Sequence, residues 1–235
     1  MTTRKRISAI AFLALVAGGL IAPSADAAAT RYITVSAQGS VKVVPDAVRI
    51  NATATAVAAS SKEALAATAK TSAAVRAALK NAKIDTKDIS TQSVTVFPEY
   101  QYSADGGSKL TGYRGSQSFT IVVRAADTAG SLVDSLVTAG GDNLQINGAT
   151  PFVLDSTKSL EAARAAAVMS AKSKATSYAT LLGVKLGKVN YLVENSAPTN
   201  YTPVMAVAKA ESDATVIDLG QQDVTISVTV QWSLL

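Results

Sequence analysis

The chain has 235 residues and a formal net charge of +5, with neither cysteine nor histidine. Those two absences exclude disulfides, thiol chemistry, the usual general base near neutral pH, and ordinary zinc, copper or haem ligation. Aromatics make up 5% of the residues and never interleave with basic runs, which speaks against nucleic-acid binding.

Arg4, Lys5 and Arg6 precede an apolar run from Ile7 to Ile21, followed by Pro23 and Ala25-Asp26-Ala27-Ala28-Ala29. A basic head, an apolar middle and an A-x-A site form a secretory signal. The run falls short of the roughly 20 apolar residues a membrane span needs. Residues 1–27 are therefore expected to be a leader and 28–235 one mature domain, exported to the periplasm, cell wall or medium. No transmembrane span is expected in the mature part. The leader holds three basic residues and one acidic one, so the mature chain keeps +3.

Alternating apolar residues predict two strands around the turn Val44-Pro45-Asp46: Ile33, Val35 and Ala37 in the first, Val48, Ile50, Ala52 and Ala54 in the second. Proline fixes φ in that turn and Asp46 can bond the backbone ahead. Ser60 and Glu63 form a capping box, each side chain serving an orphan backbone donor at a helix start. The helix stripe is read as Leu65, Thr68, Ser72, Val75, Leu79 and Ala82, stopping near 81–83, with Asp85 and Asp88 in the turn beyond. A hairpin of 93–102 and 110–125 follows, turning at Asp105-Gly106-Gly107. Asp127 or Thr128 caps a short helix containing Leu132, Leu136 and Val137, closed by Gly140-Gly141. Extended chain from Leu144 to Leu154 carries Pro151 at an edge or bulge.

A second long helix is predicted over 157–182 with the stripe Leu160, Ala163, Ala167, Ala171, Ala175, Tyr178 and Leu182, and Gly183 as its C′ residue. A strand over 188–194 leads to a long segment, Ser196–Gly220, with Pro198 and Pro203. Connections of that length are usually functional or disordered. In the last strand Val224, Ile226, Val228, Val230, Trp232 and Leu234 alternate with polar residues. Each long helix feeds a strand through a short turn, which suggests a duplicated strand–helix–strand–strand unit. The fold class is α+β: antiparallel sheets with two long helices and one short helix packed on one side.

Five ordered stretches resemble the SIMPL-domain family. They are Ile33-Thr34-Val35-Ser36-Ala37-Gln38-Gly39 with Val44-Pro45-Asp46-Ala47; Lys87-Asp88-Ile89-Ser90-Thr91 leading to Val96-Phe97-Pro98-Glu99-Tyr100; and Leu110-Thr111-Gly112-Tyr113-Arg114. The others are Ala139-Gly140-Gly141 through Phe152, and the helix segment Ala162 to Ala175 with Leu182-Gly183. Two departures stand out: Lys83 where the family commonly has glycine, and Gly220-Gln221 where it often has Gly-Glu. The resemblance implies an exported α+β domain without an established active site, so no catalytic residue carries over. Bacterial members are often labelled oxidative-stress defence or periplasmic immunogenic proteins, and some relatives form ring-like oligomers.

Several sharper chemistries can be weighed on the residues. Arg164, Lys172 and Lys174 could hold an anion, but a solvated helix face with a Glu161–Arg164 pair is the simpler reading. Ser170 and Lys174 lie one helical turn apart, yet a lysine base needs desolvation that this polar neighbourhood does not offer. The glycine pairs lack phosphate-loop spacing, and the sequons at Asn51 and Asn200 are short enough to occur by chance. No catalytic residue, cofactor or metal is expected.

The leading expectation is a non-enzymatic envelope module, linked to stress defence only indirectly, that binds or self-assembles through strand addition or loop exchange. Its candidate contact residues are Phe97, Tyr100, Tyr102 and Tyr113 on the hairpin, and Tyr201 and Met205 in the long segment. Partners would be further copies of the chain or an envelope protein. Deleting 199–214 is expected to dissolve an oligomer and leave the monomer folded. Two alternatives remain: a carboxylate-only hydrolase or lyase using Asp46, Glu99 and Glu194, or a small-ligand or lipid carrier with an apolar pocket.

Overall fold

The alternating and helical stretches fold as seven strands and three α-helices in the computed structural model, which describes residues 31–102, 106–195 and 214–235. The leader, Asp105, and residues 196–213 lie outside the described residues. In chain order the elements are β1 (Tyr32–Val43), β2 (Ala47–Ala58), α1 (Ser61–Asn81), β3 (Ile89–Tyr102), β4 (Ser108–Val123), α2 (Ala129–Gly140), β5 (Leu144–Phe152), α3 (Thr157–Leu181), β6 (Leu186–Glu194) and β7 (Gln222–Leu234). They build two antiparallel sheets, of order β3-β4-β2-β5 and β1-β7-β6.

The chain crosses from one sheet to the other at Val44-Pro45-Asp46, so β1 and β2 are not partners. β1 pairs instead with β7 at the far end of the chain, over twelve consecutive positions without a register shift. Asp46 does not bond its own turn. Its Oδ1 accepts the Leu154 N–H at 2.8 Å, tying the β1–β2 crossing to the β5–α3 connection.

One topology appears twice. β2–α1–β3–β4 gives the order β3-β4-β2, and β1–α3–β6–β7 gives β6-β7-β1. The strand just before α3 in the chain, β5, joins the other sheet, and the first unit sits inside the second between β1 and α3. The two long helices also end alike. Lys83 N–H bonds the Lys80 carbonyl and Ile84 N–H the Leu79 carbonyl; Gly183 and Val184 repeat this with Thr180 and Ala179. Both ends are Schellman motifs, whose C′ residue needs positive φ. Gly183 adopts φ 68° at no steric cost, and Lys83 adopts φ 60°.

The capping box at α1 is present: Ser60 Oγ accepts the Glu63 N–H and Glu63 accepts the Ser60 N–H. The buried stripe of α1 is Ala64, Thr68, Thr71, Ser72, Val75 and Leu79. Leu65 and the C-cap Ala82 are exposed, because the stripe rotates away from a strict three–four reading. The short helix α2 has no side-chain N-cap bond; the Thr128 hydroxyl donates to the Ala125 carbonyl instead. Ahead of α3, Asp155 Oδ1 accepts the Thr157 N–H at 3.0 Å, one residue earlier than an N-cap. On α3 the alanines 163, 167, 171, 175 and 179 are buried, whereas Tyr178 and Leu182 face solvent.

Two cores result. Under α1 and α2 lie Val48, Ile50, Phe119, Ile121, Val75, Leu79 and Leu136. Under α3 the alanines meet Val35, Val224, Ile226, Val228, Val230 and Trp232. Of the segment read as a long loop, residues 214–220 are docked. Thr215 bonds Asp134 of α2 through its hydroxyl (2.6 Å) and N–H (3.2 Å), and Ile217 and Leu219 pack on the first core. This return strand of chain links the first unit to β7 of the second.

Candidate functional site

The hairpin β3–β4 outruns its sheet. β2 stops pairing at Ala58, opposite Tyr113, and beyond that point only β3 and β4 hold each other, out to Tyr102 opposite Ser108. The two-stranded end buries little, so its tyrosines stand free, Tyr102 77% exposed and Tyr100 46%; Phe97, 64% exposed, lies opposite Arg114 where β2 still pairs. Tyr113 is half-buried.

Register divides these residues between two faces. Gln92 is an extra residue on β3 and Thr111 one on β4, each a bulge. Alternation from Val94 then puts Val96, Pro98, Tyr100 and Tyr102 on the side covered by α1, with Tyr113 opposite Pro98. Phe97 points to the other side, where Arg114 pairs with Glu99. Tyr100, Tyr102 and Tyr113 therefore form one apolar strip beyond the start of α1, and Phe97 is not part of it. Tyr201 and Met205 lie outside the described residues.

The three carboxylates proposed for acid chemistry do not converge. Asp46 is held by the Leu154 N–H, Glu99 by Arg114 on the hairpin, and Glu194 by Arg164 at 2.9 Å on the other sheet. Among the described residues no three of Asp, Glu, His or Cys group as metal ligands would. Arg164 thus bridges α3 to β6 rather than pairing with Glu161. Ser170 and Lys174 border a groove of about 620 Å³ together with Ser36, Gln38, Asn195, Ser227 and Thr229. Lys174 is exposed and donates from Nζ to the Ser36 carbonyl at 3.3 Å, without the desolvation a lysine base requires.

The sequence places Asp88, with Asp85, in the turn after α1. It is buried, and Arg124 grips it from Nε at 2.7 Å and Nη2 at 2.8 Å. The Arg124 hydrogen bonds, with its charge, hold the Asp88 carboxyl below its ordinary value against the opposing pull of burial. The pair pins the turn after α1 to the end of β4 and plays no part in the exposed surface. Asp155 is also lowered, by its bonds from Thr157.

No helix among the described residues is long and apolar enough to cross a membrane. A family model described as SIMPL, a protein of unknown function (DUF541), matches residues 33–232, which span both units. The chain is 32% identical to the uncharacterized protein YggE of Edwardsiella ictaluri over 231 residues, 92% of each chain. It is 28% identical to the 26 kDa periplasmic immunogenic protein of Brucella melitensis, covering 86% of this chain and 84% of that one. It is 32% identical to the uncharacterized protein YggE of Escherichia coli K12, covering 77% and 72%. With a match running from β1 to β7 and relatives aligned along most of their length, the chain belongs to the SIMPL family.

Proposed function

We propose that this protein is an exported, non-enzymatic module of the periplasm or cell envelope that works by docking, on further copies of itself or on an envelope partner, through the β3–β4 hairpin. The observation that carries this reading is the exposed strip of Tyr100 and Tyr102 on a hairpin that extends past its own sheet. Tyrosine suits such a surface because its ring buries apolar area while its hydroxyl stays hydrogen-bonded. The leader-like segment and the periplasmic relative support the compartment. Without cysteine or histidine, any contribution to stress defence would be indirect.

Strand addition needs a free and regular edge. β3 is interrupted by two bulges and Pro98, β5 by a bulge and Pro151, and β6 by two register shifts. β1 alone among the four edge strands keeps its register throughout. Backbone pairing in an assembly would fall to β1, once Lys174 releases the Ser36 carbonyl it holds on that edge, and side-chain docking to the hairpin.

Light scattering behind a sizing column tests the reading on the chain from Ala28. A discrete oligomer is expected, and Tyr100→Ser with Tyr102→Ser should shift it to smaller species with an unchanged melting midpoint. A wild-type monomer that also captures no envelope protein through these tyrosines would overturn it.

A further inference from the structure

The face of the three-stranded sheet turned away from α3 is built differently from the hairpin. Side chains there come from alternate positions of β1, β7 and the end of β6, and they bond one another in rows across the sheet. In one row Asn190 Nδ2 donates to Gln231 Oε1 at 3.1 Å, and Gln231 Nε2 donates to Thr34 Oγ1 at 3.1 Å. In the next, Asn195 Nδ2 donates to Thr229 Oγ1 at 2.9 Å, and Thr229 and Ser36 share a hydrogen bond of 2.9 Å. The first row spans all three strands; in the second, Asn195 reaches Thr229 from just past the end of β6, and Val193 is the β6 residue opposite Thr229. Register places Tyr191 opposite Gln231 and Tyr32 opposite Ser233, so two exposed tyrosines, at 42% and 58%, stand on this face, one level with the first row and one a pair beyond it.

The second row also lines the groove of about 620 Å³ that Ser170 and Lys174 of α3 border, and the two tyrosines stand on the sheet face outside that groove. That volume lies within the range of small-molecule sites, roughly 300–1,000 Å³. Its lining is neither apolar enough for a lipid nor charged enough for a nucleic acid, which would need a basic track along its backbone. Hydroxyls and amides that both donate and accept, held in place by their neighbours, match a ligand whose own groups do both. Pre-bonded rows also lose little side-chain freedom on binding.

We infer that this face is a glycan-binding site, taking an oligosaccharide that bears hydroxyl and acetamido groups. The sugar rings lie against Tyr32 and Tyr191, and the row Asn195–Thr229–Ser36 exchanges hydrogen bonds with the substituents. Lys174 stands where a single negative substituent could be met. This site is separate from the hairpin but shares β1 with the edge proposed for pairing, so the substitutions that test it are placed outside β1.

Amide chemical shifts of the chain from Ala28 would be followed while chitotetraose is added, with cellotetraose as the parallel titration. The expected result is saturable shifts along residues 190–195 and 227–231, with chitotetraose bound more tightly. Tyr191→Ala and Asn195→Ala should each weaken binding about tenfold at an unchanged melting midpoint. Thr229→Val, close to isosteric, provides the same readout should either variant unfold. No saturable shifts, shifts centred on Tyr100 and Tyr102, or affinity unaffected by these substitutions would overturn the inference. Equal binding of cellotetraose would overturn its acetamido part.

Discussion

The two units share a topology and a helix ending, yet their helices meet the sheet with different side chains. The first packs large side chains, with Phe119, Ile50, Ile121 and Leu79 fully buried. The second brings backbones together. Its helix offers five buried alanines, and opposite them sits Gly39, where a Cβ would fall 2.2 Å from the Ala167 nitrogen and 2.3 Å from the Ala163 carbonyl oxygen. The first unit has a close approach too, where a Cβ at Gly115 would fall 2.8 Å from the Ala64 carbonyl oxygen, but its core is filled by large side chains, so a different mutation is dangerous in each unit.

Deletion should damage the first core and addition the second. Phe119→Ala removes a buried ring that also carries the Arg76 guanidinium 5.1 Å from its centroid, and is expected to cost about 3–5 kcal/mol. Gly39→Ala adds one methyl group against main-chain atoms that cannot rotate away, and is expected to cost about 3 kcal/mol or more. Ala171→Gly, by contrast, should cost about 1–2 kcal/mol, the helix-propensity difference plus one buried methyl group. Urea unfolding of the three variants measures this. Should Gly39→Ala prove milder than Ala171→Gly, the close approach of α3 to β1 is not the feature that holds the second unit.

Much of this plan is legible in the sequence because it is local. Ser60 and Glu63 announce the start of α1, the alanine spacing traces α3, and strict alternation marks β7. Partner choice is not local. Nothing in the alternation of Ile33, Val35 and Ala37 says that their strand pairs with one nearly 200 residues away, and Pro45 reads equally well as a hairpin turn or a crossing between sheets. The hairpin aromatics were visible for the same local reason. Their division between faces was not, since it depends on the bulges at Gln92, which no glycine marks, and at Thr111, where Gly112 alone does not fix the register. Tyr32 and Tyr191 read as ordinary strand residues until register set Tyr191 opposite Gln231 in one polar row and Tyr32 one pair beyond it.

The Asp88–Arg124 pair sharpens the comparison further. It fastens the turn after α1, whereas the corresponding turn after α3 is closed by backbone alone, Lys185 exchanging both hydrogen bonds with Leu235. Only the first closure should respond to pH. Asp88 titrates below its ordinary 3.8 in the folded state, so its stabilisation is present above that value and is lost as pH falls through the folded-state pKa. Wild-type melting midpoints should therefore drop more steeply between about pH 5 and pH 3 than those of Asp88→Asn. At neutral pH the substitution should lower the midpoint by about 2–4 °C, modest because Arg124 is half exposed. Parallel curves would mean that the bidentate contact does not survive in solution.

The smallest effect asks the most of the duplication. If the two helix ends are one device used twice, then the residue at C′ should matter in the same sense at both. Lys83 carries a side chain into positive φ that Gly183 avoids, and nothing lies within 4 Å of a Cβ built at Gly183. Crowding is therefore absent at that position, and any cost there comes from backbone conformation. Lys83→Gly should stabilise by about 0.5–1 kcal/mol, and Gly183→Ala should destabilise by a similar amount. Both changes act through φ alone, so in the double variant they should add and nearly cancel. Gly183→Ala without cost would show that the second helix end relaxes where the first is held. The Schellman geometry would then be imposed on α1 by the Asp88–Arg124 closure beyond it, and not by a motif that the two units share.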